Sequence, residues 1–351
     1  MTLSPSGQVF HQANRDEAID HFYTWSSSEQ WNPGHKGLDI ELLHSADPKG
    51  FFYSTVEPST DNKDDQADAQ TSPHPKKDEV VSIVSAVRYG DDQGWIGYYI
   101  ASPKYRGRGY GLATFTRAFD HLTPDTRESI GLDAVMAQVQ NYRKSGFTQS
   151  SWLNERRHGS AVDLVETQER ELADKITMNE VEGLVLLSDP KVDLEQLPGI
   201  EARYCGLKRA KFVKEWAQFH VNHADHHRFG VAFLSSDKKD EQSGKPLVLG
   251  YACVRPATSS YRVGPLYATD GDVAKKLLVK LAIEVVQAEK QSSLGVPLVF
   301  DIDIPDKNLA AVKIFDGLGW KNTFPCLRMW KGKVPEHDVN GVFGVTTLEI
   351  G

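Results

Sequence analysis

The order of structural elements is written twice in this chain, and that repetition limits its fold more than any single motif does. In the first half, β-branched and aromatic runs at 51–56, 80–88 and 95–101 read as strands. They lead into a glycine-rich turn, a helical stripe over 112–122, a further strand over 129–139 and the word NYRKSGF. The second half repeats the order as VAFLSS, LVLGYACVRP, YRVGPLYA, the long stripe DVAKKLLVKLAIEVVQ, PLVFDIDIP and NLAAVKIFDGLGW. The offset is roughly 170 residues, a domain-sized period rather than that of a solenoid. Two α/β domains are therefore expected, at 1–160 and 181–351, joined by a polar linker at 161–180. A polar insertion is expected at 57–79 and a second at SDKKDEQSGKP. A helix over 16–25, capped by Asn14 or Asp16, should open the chain and end before WNPG.

Charge and cysteine content exclude several classes. With 40 basic and 48 acidic residues the net charge is −8, which argues against a general nucleic-acid binder. It leans instead toward a cationic partner. Three cysteines, far apart, imply neither a disulfide framework nor a zinc site, and read as buried thiols in a reducing compartment. No run approaches the length of a membrane helix and the start carries no leader pattern, so the expectation is a cytoplasmic protein with no membrane partner.

The densest chemistry lies in PKYRGRGYGLA, residues 103–113. A strand entering a glycine-rich turn that opens a helix leaves first-turn N–H groups unpartnered, at the positive end of the helix dipole. Gly107, Gly109 and Gly111 would let a phosphate approach the backbone, and Arg106 and Arg108 would add charge. The spacing is not that of a P-loop, and no acidic strand end follows to bind a ribose, so a dinucleotide fold is disfavoured.

This stretch resembles the acetyl-CoA signature of the GNAT superfamily of N-acetyltransferases, with Arg106, Gly109 and Gly111 in its key positions. NYRKSGF resembles that family's tyrosine–glycine–phenylalanine element through Tyr142, Gly146 and Phe147, and NLAAVKIFDGLGW resembles it again. The whole chain is similar to a tandem GNAT protein whose second half is a divergent copy. The resemblance implies two GNAT-fold domains, each a mixed, mostly antiparallel sheet with splayed strands 4 and 5 and flanking helices.

For the site, the resemblance implies that the pantetheine of acetyl-CoA lies between strands 95–102 and 129–139 and pairs with Ile100, Ala101 and Ser102. The pyrophosphate would rest on Arg106, Gly107, Arg108, Gly109, Tyr110, Gly111 and Leu112, with Asn141 nearby. An amine attacks the thioester directly, and Tyr142 occupies the place of the acid that protonates the leaving thiolate. Many relatives carry a glutamate on the strand before the signature. GWIGYYIAS has no carboxylate there, which leaves Asp133, Tyr98 or a water chain, or an amine that arrives already neutral. Trp31, Asn32 and Tyr98 are candidates for touching the acceptor. In the second half YRVGPLYATDGD has lost the cradle. Asp270 and Asp272 would cap a helix but repel phosphate, and Phe315 replaces the tyrosine.

The expected activity is thus N-acetyl transfer from acetyl-CoA to a small-molecule or peptide amine, with polyamines, amino sugars or basic peptides favoured by acidity. A CoA-binding sensor or scaffold without turnover is the alternative. Monomer and homodimer both stay open. His220, His223, His226 and His227 read as a polar helix end rather than a metal site, and no metal is expected. Asp301 and Asp303 read as a strand end rather than an ammonium anchor.

Overall fold

The structure, a computed structural model, describes residues 5–57, 78–123, 128–171, 182–221 and 226–351. Most of the expected insertion at 57–79, the later part of the expected linker, and His223 lie outside these residues.

The first half contributes β1 (Val9–Gln12), α1 (Arg15–Ser28), α2 (Leu38–Ala46), β2 (Phe51–Val56), β3 (Glu79–Tyr89) and β4 (Gln93–Ala101). It continues through α3 (Tyr110–Leu122), β5 (Ser129–Val135), α4 (Val139–Lys144), β6 (Gln149–Ser160) and α5 (Ala161–Glu171). The second half repeats this with β7 (Leu184–Leu186), α6 (Leu197–Cys205), α7 (Ala210–Val221), β8 (Phe229–Lys239), β9 (Pro246–Pro256) and β10 (Tyr261–Ala268). It ends with α8 (Gly271–Gln291), β11 (Val299–Pro305), α9 (Leu309–Gly317), β12 (Lys321–Gly332) and β13 (Val342–Gly344).

Local chemistry explains the boundaries. Asn14 accepts from the N–H groups of Asp16 and Glu17, and Glu17 returns a bond to the Asn14 N–H, a capping box that starts α1. The strand expected over 129–139 stops at Val135 and passes through a short 3₁₀ turn into α4. SDKKDEQSGKP is not an insertion. Its residues form the projecting end of the β8–β9 hairpin, where Lys239 pairs with Pro246 and the Asp240 carboxylate accepts from the N–H groups of Gln242 and Ser243. Polarity there reflects exposure of a hairpin tip, not loss of strand.

The strands join in one mixed sheet, in the order β1-β2-β3-β4-β5-β12-β6-β11-β10-β9-β8-β7, with β13 added on β10. All pairings are antiparallel except β4/β5 and β10/β11. Two strands have changed places. β12, from the second half, lies between β5 and β6 of the first, and β6 lies between β11 and β12 of the second. Each half thus inserts its last long strand into the other, and neither sheet is complete alone.

Side chains at this exchange lock it. Asp133 on β5 takes a two-pronged bond from Arg328 on β12, Nε at 2.9 Å and Nη2 at 2.7 Å, and both side chains are fully buried. The Arg328 guanidinium sits against the rings of Trp95 and Trp152, 4.7 and 4.9 Å away. Trp95 and Trp330 meet edge-on at 5.6 Å, and a Cβ at Gly131 would run into both indoles. Removing one partner of such a pair strands a buried charge, at a cost of about 3–5 kcal/mol.

Because the halves share strands, calorimetric unfolding is expected to show one cooperative transition rather than two. Arg328→Ala should lower stability by about 3–5 kcal/mol while keeping a single transition. Two separate transitions in the unaltered chain would contradict the exchanged topology.

Candidate active site

β4 and β5 run parallel for only three paired positions, Gln93↔Ser129, Gly94↔Ile130 and Trp95↔Gly131, and then part. The cause lies on β4. Tyr98 takes a positive φ of 48°, and the β3–β4 register slips between Ile83 and Ser85, so the strand bulges and turns away. The opening is a wedge lined by Ile96–Tyr99 from β4 and Leu132, Asp133 and Val135 from β5. Tyr142, Trp31, Arg156, Phe324, Cys326 and Glu349 complete it.

At one end of the wedge the chain reaches the glycine-rich turn. Gly107 and Gly109 have φ of 73° and 89°, a left-handed backbone that glycine adopts without strain. Gly109 stands at the N-cap of α3 and supplies no side-chain cap, so the first-turn N–H groups of Tyr110, Gly111 and Leu112 have no helical partner. Gly111 is needed for packing, since a Cβ there would press on the Tyr99 hydroxyl and the Ala101 methyl. These features fit a phosphate on the backbone.

The two arginines differ from expectation. Arg106 is not free for an anion: Nε donates to the Ala101 carbonyl at 2.9 Å and Nη2 pairs with Glu29. Arg108 lies over the rings of Tyr105 and Tyr110 at 5.4 and 5.5 Å, with no carboxylate partner among the described residues. Ile100 and Ala101 face Ile83 and Ser82 across β3, which leaves their other edge toward the wedge. Ser102 is otherwise engaged, with its N–H on the Val81 carbonyl and its own carbonyl on the Tyr105 N–H. Asn141 is exposed on α4 and donates to Gln138.

Tyr142 packs among the rings of Tyr99, Phe115 and Phe147, at 6.1–6.3 Å. Its hydroxyl has no hydrogen-bond partner among the described residues, and it lines the wedge. Burial pushes the phenol above its ordinary value of 10.0. Tyr98 is nearly buried and packs edge-on against Phe22 at 5.3 Å. Asp133 faces the wedge, but both its oxygens are occupied, by Arg328 and by the Asn154 amide at 2.8 Å. Burial raises its pKa against the pull of Arg328.

Trp31 lines the wedge, whereas Asn32 points elsewhere. The Asn32 amide donates to Ser260 Oγ at 2.7 Å and Asp301 Oδ2 at 2.9 Å, and its oxygen accepts from the Ser259 N–H. This buried side chain ties the two halves together and is not available to a substrate. The wedge also holds residues that sequence reasoning missed. Glu349 pairs with Arg262 at 2.6 Å, and Arg156 clasps Asp303 at 2.8 and 2.9 Å while lying 5.2 Å from the centre of the Phe324 ring. Burial works to raise the Glu349 carboxyl, but Arg262, Arg255 and Arg156 together draw it below the ordinary value. All of these come from distant parts of the chain, and no local spacing could have grouped them.

The equivalent wedge of the second half is filled. β10 and β11 also share only three paired positions. Into the gap comes β13, pairing Gly344 with Leu266 and Val342 with Tyr267, followed by a bond from the Val345 N–H to the Asp303 carbonyl at 2.9 Å. The helix that would hold phosphate there, α8, is capped by Asp270, which accepts from the N–H groups of Asp272 and Val273. Phe315 is fully buried beside Trp320. The same segment runs on to the first wedge, where the Leu348 carbonyl accepts from Trp95 Nε1 and the Glu349 carbonyl lies where a Cβ on Gly97 would go.

His220 Nδ1 donates to the Trp216 carbonyl of its own helix at 2.7 Å, and His227 meets the Tyr261 hydroxyl at 2.9 Å. Among the described residues no three His, Cys, Asp or Glu side chains cluster as metal ligands, and no helix is long and apolar enough to cross a membrane.

Comparison with known proteins agrees with this architecture. Residues 199–344 match the family of acetyltransferase (GNAT) domains. The chain is 26% identical over 327 residues to the holothin acyltransferase of Pseudoalteromonas sp. (strain SANK 73390), covering 93% of this chain and 89% of that one. In fold it is similar to a candidate acetyltransferase from Pyrococcus horikoshii, with a TM-score of 0.68, 20% identity and coverage of 100% and 98% of the two chains. It is also similar to a tandem GNAT protein from the clavulanic acid biosynthesis pathway, with a TM-score of 0.57, 13% identity and coverage of 92% and 98%. With the strand order, the parted β4 and β5 and the glycine-led α3 already described, these matches show an acetyltransferase (GNAT) domain over residues 199–344 and, for the chain as a whole, a fold similar to that of tandem GNAT proteins.

Proposed function

We propose that the first half binds acetyl-CoA in the β4/β5 wedge and transfers the acetyl group to the amine of a small molecule. The observation that carries this reading is the combination of an uncapped, glycine-entered α3 at one end of the wedge with an unpartnered Tyr142 hydroxyl inside it. The first-turn N–H groups of Tyr110, Gly111 and Leu112, with Arg108, hold the pyrophosphate. The free edges of Ile100 and Ala101 hold the pantetheine, which places the thioester beside Tyr142. Its raised pKa keeps the phenol protonated at neutral pH, ready to supply the proton that the thiolate needs. The activity named for the Pseudoalteromonas relative favours a small-molecule acceptor over a protein. The second half serves as scaffold and wall, because its own wedge holds β13.

Two substitutions test this. Gly109→Asp has room for its Cβ, with only Pro5 within 4 Å among the described residues, but puts a carboxylate and a strained φ at the helix entrance. It should abolish acetyl-CoA binding, read by the ligand-induced rise in melting temperature. Tyr142→Phe should leave that binding intact and lower kcat by roughly 10²–10⁴-fold. Undiminished turnover in Tyr142→Phe would remove the acid from the scheme.

The pH profile gives a third check. A phenol held above 10.0 stays protonated throughout the neutral and mildly alkaline range, so kcat should not fall from this group as pH rises toward 10.0. A loss of rate centred well below that value, absent in Tyr142→Phe, would contradict the raised pKa.

A further inference from the structure

Every ionised side chain that lines the wedge is already matched. Asp133 is held by Arg328 and Asn154, Glu349 by Arg262, and Arg156 by Asp303. Behind them Arg262 also reaches Asp303 at 3.3 Å, and Arg255 pairs with Asp39 at 3.0 Å. Four guanidinium groups (Arg156, Arg255, Arg262, Arg328) thus balance four carboxylates (Asp39, Asp133, Asp303, Glu349), and Asp301 behind them is taken up by His158, Asn32 and Ser260. The remaining wall is mostly apolar, and five of its side chains are aromatic: Trp31, Tyr98, Tyr99, Tyr142 and Phe324.

An ammonium ion entering this space would give up its water and meet no uncompensated anion. Nor do the rings form a free cage for a cation, since the Arg156 guanidinium already sits by Phe324 and would repel one. A flat, uncharged molecule loses little by desolvation and gains contact with every ring. We infer that the acceptor is a small planar amine uncharged at neutral pH, an arylamine or heteroarylamine, held between these aromatic side chains. The inference rests on the acyl-transfer reading above. It sets aside the polyamines, amino sugars and basic peptides that overall acidity had favoured.

This acceptor also accounts for the missing base. β4 carries no carboxylate, and both carboxylates of the wedge are committed to arginines. An amine with its lone pair already free needs none. Its nitrogen forms the N–C bond at the acyl carbon, and the C–S bond breaks with its electron pair on sulfur. The sulfur takes the Tyr142 proton, and the proton lost from nitrogen restores Tyr142.

The test uses two isomers, p-toluidine, uncharged at neutral pH, and benzylamine, equal in formula but protonated. Acetyl-CoA binding to the full chain is measured first, and then each isomer is titrated into the CoA-loaded protein and assayed for thiol release with acetyl-CoA. The expected result is a Kd at least about tenfold lower, and a kcat/KM at least about tenfold higher, for p-toluidine. Benzylamine binding or reacting as well as p-toluidine, or neither binding, would overturn the acceptor class while leaving acyl transfer standing. Failure of acetyl-CoA itself to bind would overturn acyl transfer, and the acceptor class with it.

Discussion

The structure depends on the reciprocal insertion of β6 and β12. A sheet whose two halves each lack an inner strand leaves rows of backbone N–H and C=O groups without partners, and those groups are costly to bury. Filling each gap with the other half's strand satisfies both rows at once and leaves no independent half to fold. The exchange also brings Cys326 and Arg328, from beyond residue 320, opposite Val135 and Asp133 on β5, and Phe324 to the wedge. Part of the wedge wall is therefore built from the far half of the chain.

The buried charges follow from this topology. Taking an ion pair out of water gains little stability over a well-packed apolar pair, so such pairs are weak evidence of a stability role. Their value here is one of register and shape. Asp133 with Arg328 matches β5 to β12, and Arg262 with Glu349 fixes segment 345–351 against β4, where Gly97 makes room for it. One continuous segment thereby closes the second wedge with β13 and forms part of the wall of the first. The asymmetry of the duplicated fold, one wedge open and one filled, has a physical cause in the path of that segment.

Much of the fold was legible because it was local. Period-two and period-3.6 patterns placed most of the strands and helices, and the glycine-led start of α3 declared itself through residue type alone. The strand exchange was not legible. β12 looks like an ordinary last strand, and nothing in LRMWKG says which half it will join. The site divided along the same line. Of the residues singled out, Gly109 stands at the entrance of α3, and Tyr142 and Trp31, suggested by the resemblance, line the wedge, whereas Arg106 and Asn32 are diverted by Glu29 and by Ser260 with Asp301, partners that only the tertiary structure supplies. Glu349, far along the chain in a short polar stretch, carried no signal at all.

A fold written twice keeps one open wedge. Calorimetric titration of the full chain with acetyl-CoA tests it most directly, through the stoichiometry. One molecule per chain is the predicted result. Two molecules per chain would contradict it, because a second could enter only if Val342–Gly344 left β10 and Asp270 ceased to cap α8.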